Sequence, residues 1–204
     1  MNIIRFASIT FLILAAVAGI AQSMIKPPFH REWTYWAGPG LEVLSIRGET
    51  IFFKSYSTVG AVDIANGRTR WTRQLTGYVE GAAMNADHAF AIARNDNSSR
   101  LWKINLSDGS LSFFKTIATA GAEVAVSENR VLVLERGTLM CFDPTTGNDL
   151  WSTVLYKGDE ERTVLTCLVA DGEKAYVGIA EDAFYCLDSA SGKVLWSEPG
   201  KYGM

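Results

Sequence analysis

The chain has 204 residues, 48% of them hydrophobic and 11% aromatic, which is the composition of an ordinary globular protein. Its formal net charge of −3 and its isoelectric point near 5.5 argue against a nucleic-acid partner, because such a partner favours a basic surface. Three cysteines are an odd number, so the sequence implies no complete disulfide framework.

Residues 1–21 have the pattern of an export signal. Arg5 precedes an apolar run from Phe6 to Ile20, and the small residues Gly19 and Ala21 fit a cleavage site. The run is shorter than the roughly 20 residues that a spanning helix needs, so cleavage is favoured over the alternative, an uncleaved anchor. The mature protein is therefore predicted to be periplasmic or secreted, with no stable membrane span.

Residues 22–40 are predicted to form an irregular leader segment. The tandem prolines Pro27 and Pro28 exclude a helix at this point. Aromatic residues follow, with Trp33 and Trp36 close to Gly38 and Pro39.

From residue 41 onward, short apolar runs separated by Gly, Asn and Asp predict strands and no amphipathic helix. The predicted strands are Leu41–Ser45, Thr50–Lys54, Val59–Asp63, Gly81–Asn85, Ala89–Ala93, Arg100–Ile104, Glu123–Val126, Arg130–Leu134, Leu139–Phe142, Val164–Ala170, Lys174–Gly178 and Phe184–Leu187. In this interpretation His88 lies in a hairpin turn, and residues 95–99 form a polar loop.

One short pattern recurs through the predicted strands: an Asp, three residues, a Gly, three residues and a Trp. It occurs at 63–71, 143–151 and 188–196, with a degenerate copy from Asn105 through Gly109 to Phe113. The repeat spacing of 38 to 45 residues, with several strands per unit, is typical of β-propeller blades. We predict an all-β fold with about four blades of four antiparallel strands, at about 41–78, 79–119, 120–159 and 160–204.

The repeated residues are predicted to have structural roles. The Asp side chain can start a turn by accepting backbone N–H groups, and the Gly supplies a positive φ. The Trp lies on the returning strand and packs against the next blade. These residues are Asp63, Gly67, Trp71, Asp143, Gly147, Trp151, Asp188, Gly192 and Trp196. Replacing Trp196 by alanine is accordingly expected to cost roughly 3–5 kcal/mol of stability.

The cysteines are predicted to be small buried residues. Cys141 and Cys186 hold equivalent positions, two residues before the turn Asp, and Cys167 lies in an apolar strand.

The segments Leu187–Trp196 and Phe142–Trp151 resemble the repeat of pyrroloquinoline-quinone-like (PQQ-like) β-propeller proteins. The segment from Trp33 to Pro39 is similar to the start of the mature form of bacterial members. The resemblance implies an exported protein with seven or eight blades, of which this chain holds about half. Three alternatives follow: a truncated chain or gene fragment, which is favoured; two copies that complete one ring as a homodimer; or four blades that close alone. An open half ring would expose an apolar blade face, which should associate or aggregate.

The resemblance favours a non-catalytic scaffold similar to the propeller of the outer-membrane assembly machinery, with an envelope or secreted protein as its partner. Loops on a rigid frame carry binding, and the candidate surfaces are Arg94–Ser99 and Lys157–Arg162.

The alternative function is a fragment of a PQQ- and calcium-dependent alcohol or sugar dehydrogenase. Such enzymes often have two adjacent cysteines beneath the quinone, whereas Cys141, Cys167 and Cys186 lie far apart in the sequence. No stretch matches a calcium site, and neither His30 nor His88 has a companion at metal-ligand spacing. The sequence therefore predicts no catalytic or metal-binding residue, assigns no cofactor-binding residue, and favours a protein that is not an enzyme.

Overall fold

The computed structural model describes residues 34–36, 38–95, 98–118, 121–127, 129–156, 166–180 and 183–200. The regular structure of these residues consists of sixteen strands. They are β1 (Glu42–Arg47), β2 (Thr50–Ser55), β3 (Thr58–Asp63), β4 (Thr69–Gln74), β5 (Tyr78–Met84), β6 (His88–Asn95), β7 (Ser98–Asn105), β8 (Leu111–Ile117), β9 (Glu123–Ser127), β10 (Arg130–Glu135), β11 (Thr138–Phe142), β12 (Asp149–Val154), β13 (Thr166–Asp171), β14 (Lys174–Ile179), β15 (Ala183–Asp188) and β16 (Val194–Pro199).

The strands form four separate sheets, each with four antiparallel strands in chain order. Blade 1 comprises β1–β4, blade 2 β5–β8, blade 3 β9–β12 and blade 4 β13–β16. The strand β9 lies against β5 on one side and β13 on the other, so the first strands of successive blades converge. The predicted all-β fold with four blades of four antiparallel strands is confirmed. The described residues contain no helix that could span a bilayer.

Two details of the hairpins differ from the sequence prediction. His88 begins β6 and does not lie in a turn, because it pairs with Asn105 of β7. The predicted polar loop at 95–99 is much shorter, because Asn95 and Ser98 are themselves paired and only two residues separate the strands.

The apolar core lies in three seams between neighbouring blades. Alternate side chains of each strand point to opposite faces of its sheet, so blades 2 and 3 each contribute to the seam on either side. Phe52 and Trp71 pack against Ala91 and Leu106 in the first seam, whereas Phe90 packs with Val133 in the second. In the third seam Leu132 and Leu139 pack against Val177 and Leu187.

The repeated turns have the predicted geometry. The Oδ1 atom of Asp143 accepts the backbone N–H groups of Thr145 and Thr146 at 2.8 and 2.7 Å. The Gly147 N–H donates to the Asp143 carbonyl at 2.9 Å, and Gly147 has φ of +74°. The Asp63 and Asp188 turns close in the same way, each with its glycine N–H donating to the aspartate carbonyl.

These hydrogen bonds lower the pKa of the turn carboxylates. The N–H groups of Thr146 and Thr145 lower the pKa of Asp143, and the hydroxyl and N–H of Ser191 lower that of Asp188. A lowered folded-state pKa contributes stability above the unfolded pKa of about 4, and this contribution disappears as pH falls through the folded value.

The Asp143→Asn variant should therefore lose less stability on acidification than the parent chain. An asparagine keeps the acceptor oxygen but cannot be protonated in this range, and Asn105 already accepts the Ser107 N–H at 2.8 Å in the second turn. Urea midpoints compared at pH 7 and pH 3 measure the effect. Equal acid sensitivity of variant and parent would contradict the assignment.

Two of the repeated tryptophans connect neighbouring blades as predicted. The Nε1–H of Trp71 donates to the Leu106 carbonyl at 3.0 Å, and that of Trp151 donates to the Ser189 carbonyl at 3.0 Å. Each acceptor is the residue directly after the turn Asp or Asn of the next blade. Each indole also covers the turn glycine of that blade, since a Cβ on Gly109 would lie 2.6 Å from Trp71.

Blade 2 contacts the Asp–Gly turn of the next blade with different residues. In blades 1, 3 and 4 the fourth strand has a bulge at the residue just before the Trp. In blade 2 the bulge of the fourth strand is at Phe114. Phe113, which ends the degenerate copy of the pattern, therefore does not take the place of the Trp: it faces away from blade 3 and is 57% exposed. Phe114 packs on Gly147 instead. The Nζ of Lys103 donates to the Pro144 carbonyl at 2.8 Å, in the place of an indole N–H.

Two further predictions are corrected at blade 4. Trp196 pairs with Cys186 in the expected register but is 45% exposed, because no described blade lies beyond it. The expected loss of 3–5 kcal/mol for Trp196→Ala therefore does not hold. Cys167 is exposed for the same reason, whereas Cys141 and Cys186 are buried as predicted, and all three thiols are unpaired.

At the other end of the array, the leader residues lie on blade 1. The ring of Tyr35 packs on Phe53 with centroids 5.2 Å apart, and its hydroxyl accepts a hydrogen bond from Thr69. The Pro39 carbonyl accepts the Ser55 hydroxyl at 2.7 Å. Phe53 is consequently buried although it points away from blade 2.

Candidate protein-binding rim

The antiparallel strand order places the strand ends of each blade on two rims. The second strand of each blade ends at one rim, which also carries the link from blade 1 to blade 2; we call this end the connector rim. The Asp–Gly turns and the hairpins between first and second strands lie at the opposite end. Binding loops of a rigid β fold are expected on such rims.

Part of the first predicted surface lies on the connector rim. Arg94 and Asn95 end β6 at this rim, and the Arg94 side chain is about half exposed. Ser99 is fully buried and contributes no surface, which corrects the prediction at that position. Residues 96–97 and the whole second surface, Lys157–Arg162, lie outside the described residues.

An open depression of about 870 Å³ lies beside Arg94. It is lined by residues of the β2–β3 hairpin, the link from blade 1 to blade 2, and the end of β6: Tyr56, Ser57, Gln74, Leu75, Thr76, Gly77, Tyr78, Arg94 and Asn95. The depression therefore spans blades 1 and 2.

Two tyrosines form an exposed aromatic pair in this depression. Tyr56 is 59% exposed and Tyr78 is 42% exposed, and their rings meet edge to face with centroids 5.1 Å apart. Tyrosines of this kind offer large contact areas at a small cost in side-chain entropy, which is why they are enriched at interfaces.

The backbone that carries the two tyrosines is held firmly. The Tyr56 N–H donates to the Pro39 carbonyl at 3.2 Å, and the Tyr56 carbonyl accepts the Val79 N–H at 2.8 Å. Gly77 has φ of +100°, and a Cβ at this position would collide with the backbone of Arg94. The chain segments of blades 1 and 2 thus touch, and the aromatic pair is positioned before any partner arrives.

An ion pair between Arg94 and Glu80 lies beside the aromatic pair. The Nε of Arg94 lies 3.4 Å from Oε1 of Glu80, which also accepts the Gly121 N–H at 3.0 Å. Glu80 is nearly buried, whereas the guanidinium of Arg94 is about half exposed. The Glu80 carboxylate holds Arg94 from its buried side, so the guanidinium is exposed beside the tyrosines.

This combination suits a polypeptide partner with an apolar side chain next to an acidic group. The tyrosine rings can pack on the apolar group, and Arg94 can bind the acid. Sequence reasoning identified Arg94 but missed Tyr56 and Tyr78. The signal was available, because both are large aromatics placed where strands end.

The described residues contain no group of three or more His, Cys, Asp or Glu side chains that could hold a metal ion. Burial lowers the pKa of His88, helped by the charge of Lys103, and burial raises the pKa of the Cys141 thiol to about 12. That thiol is therefore protonated and inert at neutral pH.

The sequence profile of the family described as "Outer membrane protein assembly factor BamB" matches residues 42–115 and 112–202. No protein with a curated description matches the sequence. Among solved structures, the computationally designed Ika8 protein is similar in fold, with 16% identity and a TM-score of 0.63 over 79% of this chain and 49% of that one.

Two other solved structures are similar. The designed Ika4 protein has 17% identity and a TM-score of 0.50 over 61% of this chain and 74% of its own. BamB from Moraxella catarrhalis has 13% identity and a TM-score of 0.40 over 76% of this chain and 62% of its own. The chain spans about half the length of Ika8.

Proposed function

We propose that this chain is a non-catalytic scaffold that binds an envelope or secreted protein outside the cytoplasm. The chain belongs to the family of the outer membrane protein assembly factor BamB, and this membership is the basis of the proposal. The observation that carries the proposal is the exposed Tyr56–Tyr78 pair beside Arg94 on the connector rim. Extracytoplasmic location is part of the proposal and rests on the family and on the predicted signal at 1–21.

The double variant Tyr56→Ala/Tyr78→Ala should lose most of its partner binding. An aromatic hot spot at the centre of an interface contributes about 2 kcal/mol or more, so affinity should fall about 30-fold if one of the two tyrosines is a hot spot and roughly 700-fold if both are. The measurement is quantitative capture of envelope proteins by the immobilised chain, followed by a dissociation constant for the captured protein.

The matched control is Phe113→Ala, which removes an aromatic ring of similar exposure on the outermost strand of blade 2, away from the rim. It should leave the affinity unchanged, and unaltered thermal unfolding should show that all variants are folded. Equal binding by the double variant and the parent would show that the connector rim is not the binding site.

The expectation that no cofactor is needed stays a prediction. Its test is to add PQQ and calcium with an alcohol or sugar and to follow reduction of a redox dye. Reduction above that of a heat-denatured sample would favour the dehydrogenase fragment over the scaffold.

Completion of a ring by two copies of the chain likewise stays a prediction. The leader residues that lie on blade 1 weigh against it, since a second copy would have to displace them. Light scattering on residues 22–204 measures the solution mass directly.

A further inference from the structure

The two tyrosines and Arg94 of the connector rim form one continuous surface. Tyr78 of β5 lies directly opposite Arg94 of β6 in the strand pairing, so the two side chains project from the same face of blade 2, with Cβ atoms about 4.5–5.5 Å apart. The ring of Tyr56 contacts that of Tyr78 from blade 1. A ligand that covers the rings therefore has the Arg94 guanidinium within reach.

The Glu80 carboxylate leaves Arg94 able to bind a second acid. Its Oε1 atom lies 3.4 Å from Nε of Arg94 and also accepts the Gly121 N–H at 3.0 Å, and its Oε2 atom accepts the Ser99 hydroxyl at 3.4 Å. Three donors thus share one carboxylate. Because the contact with Arg94 is through Nε, the two Nη amino groups can form a bidentate pair with a carboxylate of a partner.

Polar residues line much of the same depression, namely Ser57, Gln74, Thr76 and Asn95. Their hydroxyl and amide groups can form hydrogen bonds with the main-chain N–H and C=O groups of an extended segment that lies across blades 1 and 2. Successive side chains of an extended segment point to opposite sides, whereas residues i and i+2 share one side. An apolar group on the tyrosines and an acid at Arg94 must therefore come from positions two residues apart.

We propose that the connector rim binds an extended segment of the partner, in which a large apolar side chain packs on Tyr56 and Tyr78 and an Asp or Glu two residues away pairs with Arg94. This inference rests on the proposed function, since it names the chemistry that the same rim recognises. The acid is a side chain and not a C-terminal carboxylate, because the open depression lets the segment continue on both sides of the contact. The tyrosines supply affinity, and Arg94 supplies the selectivity for an acid.

The test measures dissociation constants of short peptides with the purified chain by fluorescence anisotropy at low salt. Each peptide is labelled at its N-terminus and amidated at its C-terminus. The probe is Gly-Glu-Ser-Phe-Ser-Glu-Gly, in which each acid is two residues from the Phe. One comparison peptide, Gly-Ser-Glu-Phe-Glu-Ser-Gly, has the same composition with the acids next to the Phe, and the other replaces both Glu of the probe by Gln. The probe should bind about five- to tenfold more tightly than either, as a charged pair at a half-exposed site contributes.

Arg94→Gln should abolish this preference, so that the probe and its Gln counterpart bind the variant equally. Because this change leaves the nearly buried Glu80 carboxylate without its cation, the double variant Glu80→Gln/Arg94→Gln repeats the measurement with both charges removed. Tyr56→Ala/Tyr78→Ala should weaken all three peptides together. The matched control is Arg68→Gln, the same substitution at an exposed arginine of the opposite rim, which should keep the preference of the parent chain.

The inference would be overturned if the parent chain bound the probe no better than either comparison peptide, or if the Arg94 variants kept the preference. Tighter binding of Gly-Ser-Ser-Ser-Phe with a free C-terminal carboxylate would also overturn it. If Tyr56→Ala/Tyr78→Ala nevertheless abolished capture of the envelope protein, the proposed function would stand and only the recognition pattern would be wrong. If that double variant captured the protein as well as the parent does, the connector rim itself would be excluded.

Discussion

Trp71→Ala is expected to lower the free energy of unfolding by about 3–5 kcal/mol, as truncations of buried tryptophans do. Trp71 is only 7% exposed, packs in the first seam and donates its Nε1–H to the Leu106 carbonyl. Its removal leaves a cavity beside Gly109 and a buried carbonyl without its donor. Urea unfolding followed by circular dichroism measures the loss.

The matched control is Trp196→Ala, which removes the same residue from the same position of another blade. Because Trp196 is nearly half exposed, its truncation should cost about 1 kcal/mol or less. Equal losses for the two variants would contradict the seam assignment, since the blade-4 indole would then have to be buried in solution.

Gly192→Ala should be the second strongly destabilising change. Alanine at a φ of +70° costs about 1–2 kcal/mol in backbone strain. The new Cβ would also lie 2.7 Å from Cδ2 of Trp151 and 2.8 Å from the Thr153 hydroxyl, and overpacking of this kind adds roughly 1–3 kcal/mol. The expected total is about 2–5 kcal/mol, measured again by urea unfolding.

The Gly172→Ala variant measures the backbone strain without a steric clash. Gly172 has a φ of +55°, but a Cβ there would have nothing within 4 Å, so only the backbone strain of about 1–2 kcal/mol applies. The difference between the two variants is thus the cost of moving Trp151. If both variants lost the same stability, the close contact of glycine and indole would be refuted.

The turns could be predicted from the sequence because they depend on local chemistry. A turn such as Asp143–Gly147 needs only an acceptor side chain, a residue that tolerates positive φ and the strands on either side. These requirements are met within nine residues, so the pattern is visible without knowledge of the fold.

The environment of each tryptophan could not be predicted in the same way. Trp71 and Trp196 have the same local sequence pattern, yet one is buried and the other is not, because burial depends on what lies beyond the sheet. The bulge at Phe114 was also hidden, since a shift of one residue in strand pairing changes which side chain reaches the seam.

The connector rim was only partly predictable. Arg94 stood out as a charged residue in a polar stretch, but Tyr56 and Tyr78 are 22 residues apart and meet only because blade 2 packs on blade 1. Their partnership is a tertiary property, held by the hydrogen bonds between Tyr56 and its neighbours Pro39 and Val79.

The most direct test of the proposed scaffold is photo-crosslinking in cells that produce the protein. A photoreactive phenylalanine analogue replaces Tyr56 in one version of the chain and Phe113 in the other. We predict a crosslink from position 56 to one envelope or secreted protein, and none to that protein from position 113. Crosslinks to an envelope or secreted protein from position 113 but not from position 56 would contradict the account.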